Sequence, residues 1–247
     1  MSKPLIISGA VVPKGGKMDL GPCSACVASM VSVDHGGCLK SSKGNMLYDI
    51  NVNGSMVING GYMTRLTIPT GFVQARNDAS LHIVNVFAQF LVTDKAHVAS
   101  ATINLGGRAE IIGSASLADT TVCSGGIMAA SEQTSITRLI ISSGAEVDVY
   151  DNAFLYGVRV MSGGVLRCHD KTKVDELCLE SGGTFKCLDK SEVIYTAHSP
   201  QKILWDKGEQ LVPPVSSAVQ SNVVTLKLPK SALQAGTMTV RLEVDDA

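Results

Sequence analysis

Three things are scarce in this 247-residue sequence: net charge, aromatic rings and long apolar runs. Lys and Arg together number 21 against 22 Asp and Glu, and charged residues make up only 17% of the chain. No basic stripe is available for nucleic acid or an anionic membrane surface. Aromatics reach just 4%, so any ring platform for sugars or cations is small. No apolar stretch approaches the ~18 residues a membrane helix needs, so insertion as a helix is not expected. The apolar start, Leu5-Ile6-Ile7, breaks at Ser8-Gly9 and resumes at Ala10-Val11-Val12 before Pro13. It reads as a first strand and not as a secretion signal.

Cysteine is present but unframed. Seven residues, an odd number at irregular spacing, do not make a disulfide scaffold. Cys23 and Cys26 form a lone CxxC, and zinc would need further ligands from Cys38 or His35 in the next repeat. Scattered reduced thiols are the simpler reading.

What the chain has is glycine, 24 of them, in a background rich in Val, Ile, Leu, Ser and Thr. That composition belongs to short strands and tight turns. The glycines are periodic. Anchors at Gly16, Gly37, Gly54, Gly71, Ala88, Gly107, Gly126, Ala145, Gly164 and Gly183 are spaced by 21, then three steps of 17, then five of 19. Two residues past each anchor stand apolar residues such as Val73, Phe90, Met128, Leu166 and Phe185. Four residues past come Ile58, Val92, Ile111, Val149, Cys168 and Cys187. Between them sit Asp19, Lys40, Gln74, Glu110, Asp148, Arg167 and Lys186, mostly polar. Alternation of period two is the mark of a strand with one buried face, and it rules out a helix.

Two more apolar segments complete each repeat. One is centred ten residues past the anchor, at Val98, Leu117, Ile136, Leu155, Val174 and Val193. The other precedes the next anchor as Ala101/Ile103, Thr120/Val122, Leu139/Ile141, Val158/Val160 and Leu177/Leu179. Three segments separated by turns predict a triangular coil, with successive coils stacked at ~4.8 Å. The fold class is therefore all-β. It is a single-stranded parallel β-helix, a solenoid of about ten coils of ~19 residues, right-handed by the crossover preference. A corner six residues past the anchor carries Asp94, Glu132, Asp151, Asp170 and Asp189, as turn chemistry favours.

The pattern divides the chain into residues 1–197, the β-helix, and 198–247, a small C-terminal β element. Pro200, Pro213, Pro214 and Pro229 punctuate the second part. Val223–Leu228 and Met238–Val244 read as two strands there. A solenoid end exposes apolar core and an open sheet edge, so a cap or an oligomerisation element is expected.

The repeats Cys123-Ser124-Gly125-Gly126, Ser142-Ser143-Gly144-Ala145, Met161-Ser162-Gly163-Gly164 and Glu180-Ser181-Gly182-Gly183, flanked by Val or Ile, carry a recognisable signature. They resemble the AIDA-type repeats of bacterial autotransporter adhesins over roughly residues 107–197. The resemblance implies a surface-displayed or secreted passenger that binds a cell-surface glycan or protein receptor, sometimes glycosylated on Ser or Thr. It carries no catalytic residue over, and it implies no cofactor.

Chemistry on a β-helix needs convergent carboxylates with a basic partner. Asp148, Asp151, Arg167, His169 and Asp170 are the best cluster the stacking brings together. Acidic residues recur at the same corner far from that cluster, at Asp94 and Asp189, which points to turns and not to a catalyst. The same column could attract Ca²⁺, but Lys171 and Lys190 interleave with it. Cys168 and Cys187 share an inward offset and read as apolar filler, whereas Cys178 points outward. His35, His82, His97, His169 and His198 share no offset. The reading is a non-catalytic structural or adhesive solenoid with no catalytic, cofactor or metal site. A polysaccharide lyase or hydrolase on the same scaffold is the alternative.

Overall fold

A computed structural model describes residues 4–21, 25–194, 201–205 and 208–212. Among these residues there is no helix. Two twelve-stranded sheets account for the fold. Each regular coil contributes a short strand to one sheet and a seven-residue strand to the other. In one such coil these are Arg108–Ile111 and Ser116–Val122. Neighbouring strands pair in parallel, and the register steps by one repeat at a time. The chain Val98, Leu117, Ile136, Leu155 and Val174 forms one continuous ladder. Phe90, Ala109, Met128, Val147, Leu166 and Phe185 form another.

Apart from Val193, whose side chain lies outside the description, the expected inward residues are inward. The core runs the length of the described solenoid, and Phe90 and Phe185 are 2% and 0% exposed. Arg167 and Lys186 pair side by side on the outer face of the short-strand sheet. The N-terminal strand lies at Leu5–Ser8 and pairs with Cys26–Val33.

The coil differs from the predicted triangle in one respect. Its second and third segments are joined into a single long strand, so there are two sheets and not three. The join is a single residue in the left-handed region, as at Ser100 (φ 64°), Asp119 (φ 50°), Arg138 (φ 53°) and Glu176 (φ 54°). Pairing skips that residue and resumes at once, from Ala99 to Ala101 opposite Ala118 and Thr120. One residue out of step is what puts both Val98 and Ala101 inside, three positions apart. A full turn is unnecessary because the ladder bends without losing more than one pair.

A left-handed conformation at a residue other than glycine costs ~1–2 kcal/mol. Side chains at that bend tie adjacent coils together: Arg65 chelates Asp49, and Arg138 chelates Asp119. The Tyr156 hydroxyl donates to Glu176 at 2.6 Å.

The acidic corner is a second left-handed column, with Asp94, Glu132, Asp151, Asp170 and Asp189 at φ 55–63°. There the four aspartates each reach back one coil. Asp94 accepts the Asn77 amide at 3.0 Å, Asp151 that of Glu132 at 3.0 Å, and Asp170 that of Asp151 at 3.2 Å. These acids are held in place by backbone, as their recurrence implies.

Past the last regular coil, Gln201–Trp205 pairs in parallel with Thr184–Cys187, and Gly208–Val212 folds back antiparallel on it. The two strands expected at Val223–Leu228 and Met238–Val244 lie outside the described residues.

Candidate binding site

The regular corner between a long strand and the next short one has four residues. Asp34-His35-Gly36-Gly37 and Asn104-Leu105-Gly106-Gly107 are examples. Three successive corners between these two are cut down. They are Asn53-Gly54, Pro69-Thr70-Gly71 and Phe87-Ala88. The coils of 17 therefore lose most of their missing residues at one edge of the solenoid. Because the short corners are stacked, their deficits add up to a notch. Full-length corners at His35-Gly36 and at Gly106 wall it at the two ends.

The notch encloses about 630 Å³. Its floor is largely bare backbone. A Cβ at Gly71 would sit 2.3 Å from the Gly54 carbonyl, and one at Gly54 would sit 2.4 Å from the Gly37 carbonyl. No side chain fits there, and the coils meet main chain to main chain. Two rings flank the floor: Phe72 is half-buried, and Phe87 is 45% exposed. Asn53, Thr70 and Gln89 supply amides and a hydroxyl, with Thr70 donating to Asn53 at 3.3 Å. Arg108 and His35 are the ionisable lining residues, and no Asp or Glu lines the notch.

A second hollow of about 320 Å³ adjoins it on the outer face of the short-strand sheet. Phe72, Gln89 and Arg108 border both. Leu91, Glu110, Ile127 and Ala129 line the far part, where the small Ala129 leaves a gap in a row otherwise held by longer side chains. Step lengths in the sequence mark these coils as irregular. They do not say which corner is shortened, and so they do not single out Phe72, Phe87 or Arg108.

The acid–base cluster assembles only in part. Arg167 lies 3.1 Å from Asp148 and 2.8 Å from Glu146, and His169 Nε2 lies 3.6 Å from Asp148. Tyr150 stacks on His169, with centroids 4.5 Å apart and planes at 14°. Burial works against the Arg167 charge, but its bond to Glu146 and the field of Asp148 outweigh that and raise its pKa. Burial, reinforced by Asp148, raises the Tyr150 hydroxyl. Asp151 and Asp170 belong instead to the corner column, bonded to backbone amides. Glu146 and Tyr150 are the additions that sequence reasoning missed. Both sit in the coil of Asp148, at offsets one and five from Ala145, where the stacking arithmetic could have found them.

Among the described residues no group of thiols, imidazoles and carboxylates is arranged to hold a metal. Cys26 is buried in the core, Cys38 lies on the outward side of its strand, and Cys23 is outside the described residues. Cys168 and Cys187 are paired neighbours in the interior, and burial pushes the Cys168 thiol well up. Cys178 is half-buried on the outer side of its strand.

No protein-family profile matches the sequence, and no curated protein matches it. Solved structures do. One is the crystal structure of a TibC-catalysed, hyper-glycosylated fragment, TibA55-350. It is 17% identical, covers 86% of this chain and 83% of its own, and superposes with a TM-score of 0.54. What the two share is the fold. No helix among the described residues is long and apolar enough to cross a membrane.

Proposed function

We propose that this chain is a non-catalytic adhesive or scaffolding solenoid, displayed at a bacterial surface or secreted, that acts through its outer face. The notch carries this reading. It is where three coils in a row abandon the repeat, and it presents rings, amides and a guanidinium instead of a reactive pair. Elsewhere several ionisable side chains, Arg65, Arg138, Arg159 and Arg167 among them, engage a neighbouring coil. The AIDA-like repeats and the shared fold with the TibA fragment support the same reading. Residues 198–247 would close the C-terminal end, as a cap or as a contact between copies.

The TibA fragment is hyper-glycosylated. In this chain Ser124, Ser143, Ser162 and Ser181 form an exposed column at one corner, a natural acceptor row for sugar. Intact-mass analysis of protein from its native host should show hexose-sized increments that vanish when these four become Ala.

The enzyme reading rests on Asp148, Arg167, His169 and Tyr150. Replacing Asp148, Asp151 and Asp170 together by Asn keeps the turns and removes the acids. A reducing-sugar and lyase screen over acidic and neutral polysaccharides should find no turnover in either protein. Turnover in the parent that the triple variant loses would overturn the non-catalytic reading. Binding of the parent to a glycan or cell-surface array is the positive test, and no binding to any surface would end the adhesive reading.

A further inference from the structure

The lining of the notch says what kind of ligand fits it. Its volume, about 630 Å³, lies within the ~300–1,000 Å³ of small-molecule sites. Its ionisable groups are Arg108 and His35, and no carboxylate faces them from the lining. Arg108 has no ion-pair partner among the described residues, a state it shares only with Arg76 among the described arginines, whereas Arg65, Arg138, Arg159 and Arg167 are paired. Glu110 stands on the same strand in the adjoining hollow, yet it forms no ion pair with Arg108. An exposed guanidinium bordering two hollows, beside two phenylalanine rings, suits an anion carried on a ring that can stack. Asn53, Thr70 and Gln89 add the amide and hydroxyl groups that pair with sugar hydroxyls.

We infer that the notch is a binding site for an acidic oligosaccharide, with Arg108 holding a sugar carboxylate and Phe72 and Phe87 packing on the pyranose faces. This rests on the adhesive reading and adds its ligand class. A polynucleotide would supply anions and rings too. It would, however, need a basic track to follow its phosphates, and the chain carries a net charge of −1 with one Arg at the notch.

The experiment is titration calorimetry of the full chain with three probes. These are α-1,4-linked trigalacturonate, neutral α-1,4-galactotriose of the same length, and a short oligothymidylate. Trigalacturonate should bind best, and binding should weaken as salt is raised. Arg108→Ala should weaken trigalacturonate about tenfold or more while leaving galactotriose unchanged. Phe87→Ala should weaken both sugars, and Arg138→Ala, on the other sheet, should change neither. Equal affinity for the charged and neutral trisaccharides, no effect of Arg108→Ala, or tighter binding of oligothymidylate would each overturn the inference. Surface-array binding that survives Arg108→Ala would leave the adhesive reading standing while this one fell. A parent that binds neither the array nor trigalacturonate would sink both.

Discussion

At the scale of single residues, parity decides almost everything. Phe185 is fully buried, whereas its neighbour Lys186 lies on the outer face. Phe185→Ala should therefore cost about 3–5 kcal/mol in chemical denaturation, and Lys186→Ala should stay within about 0.5. Equal effects would mean that the register is slipped by one. Glycine at the anchors is a matter of room more than of dihedral freedom. Ala88 and Ala145 occupy equivalent positions, but at Gly71 the added carbon would meet a carbonyl at 2.3 Å. Gly71→Ala should destabilise by about 1–3 kcal/mol as the coils are wedged apart. Inward and outward positions were legible from the offsets, down to Phe90, Cys168 and Arg167. Glycines that must yield to a backbone were not separable from those serving a turn, because contact between coils leaves no mark in a single repeat.

At the scale of elements, the corners carry the individuality. The acidic corner combines a left-handed residue with a carboxylate that receives an amide from the adjacent coil. Asp170→Asn keeps both features and should leave the melting temperature nearly unchanged. Asp170→Ala loses both and should cost about 1–2 kcal/mol. At the bends of the long strands, the hydrogen bond from Arg138 holds the Asp119 carboxyl below its usual range, and Arg65 does the same to Asp49. A carboxyl lowered in the folded state lends stability above its unfolded pKa of about 3.9 and loses it as pH falls through the folded value. Thermal stability should accordingly decline as pH drops below about 4. Asp119→Asn should flatten that decline, and added salt should shrink the difference. Turn chemistry at Asp94, Asp151 and Asp170 could be read from recurrence. The fusion of two segments into one strand could not, since it hinges on residues such as Ser100, Arg138 and Glu176 adopting a conformation their residue types do not advertise.

At the scale of the whole molecule, nine coils from Gly16 to Gly183 at ~4.8 Å each give a rod of about 43 Å before the ends are added. Far-UV circular dichroism should show β-structure without helix, and small-angle scattering an elongated particle. Along that rod three successive corners, at 53–54, 69–71 and 87–88, are short, and function is placed there. The most direct test fills the notch and leaves every fully buried core residue in place. Phe87-Ala88 is replaced by the four-residue sequence Asn-Leu-Gly-Gly found at 104–107, which restores a 19-residue coil. The account predicts an unchanged circular dichroism spectrum and melting temperature, together with loss of binding to the glycan or cell-surface array that the parent recognises. A folded variant that binds as the parent does would contradict it.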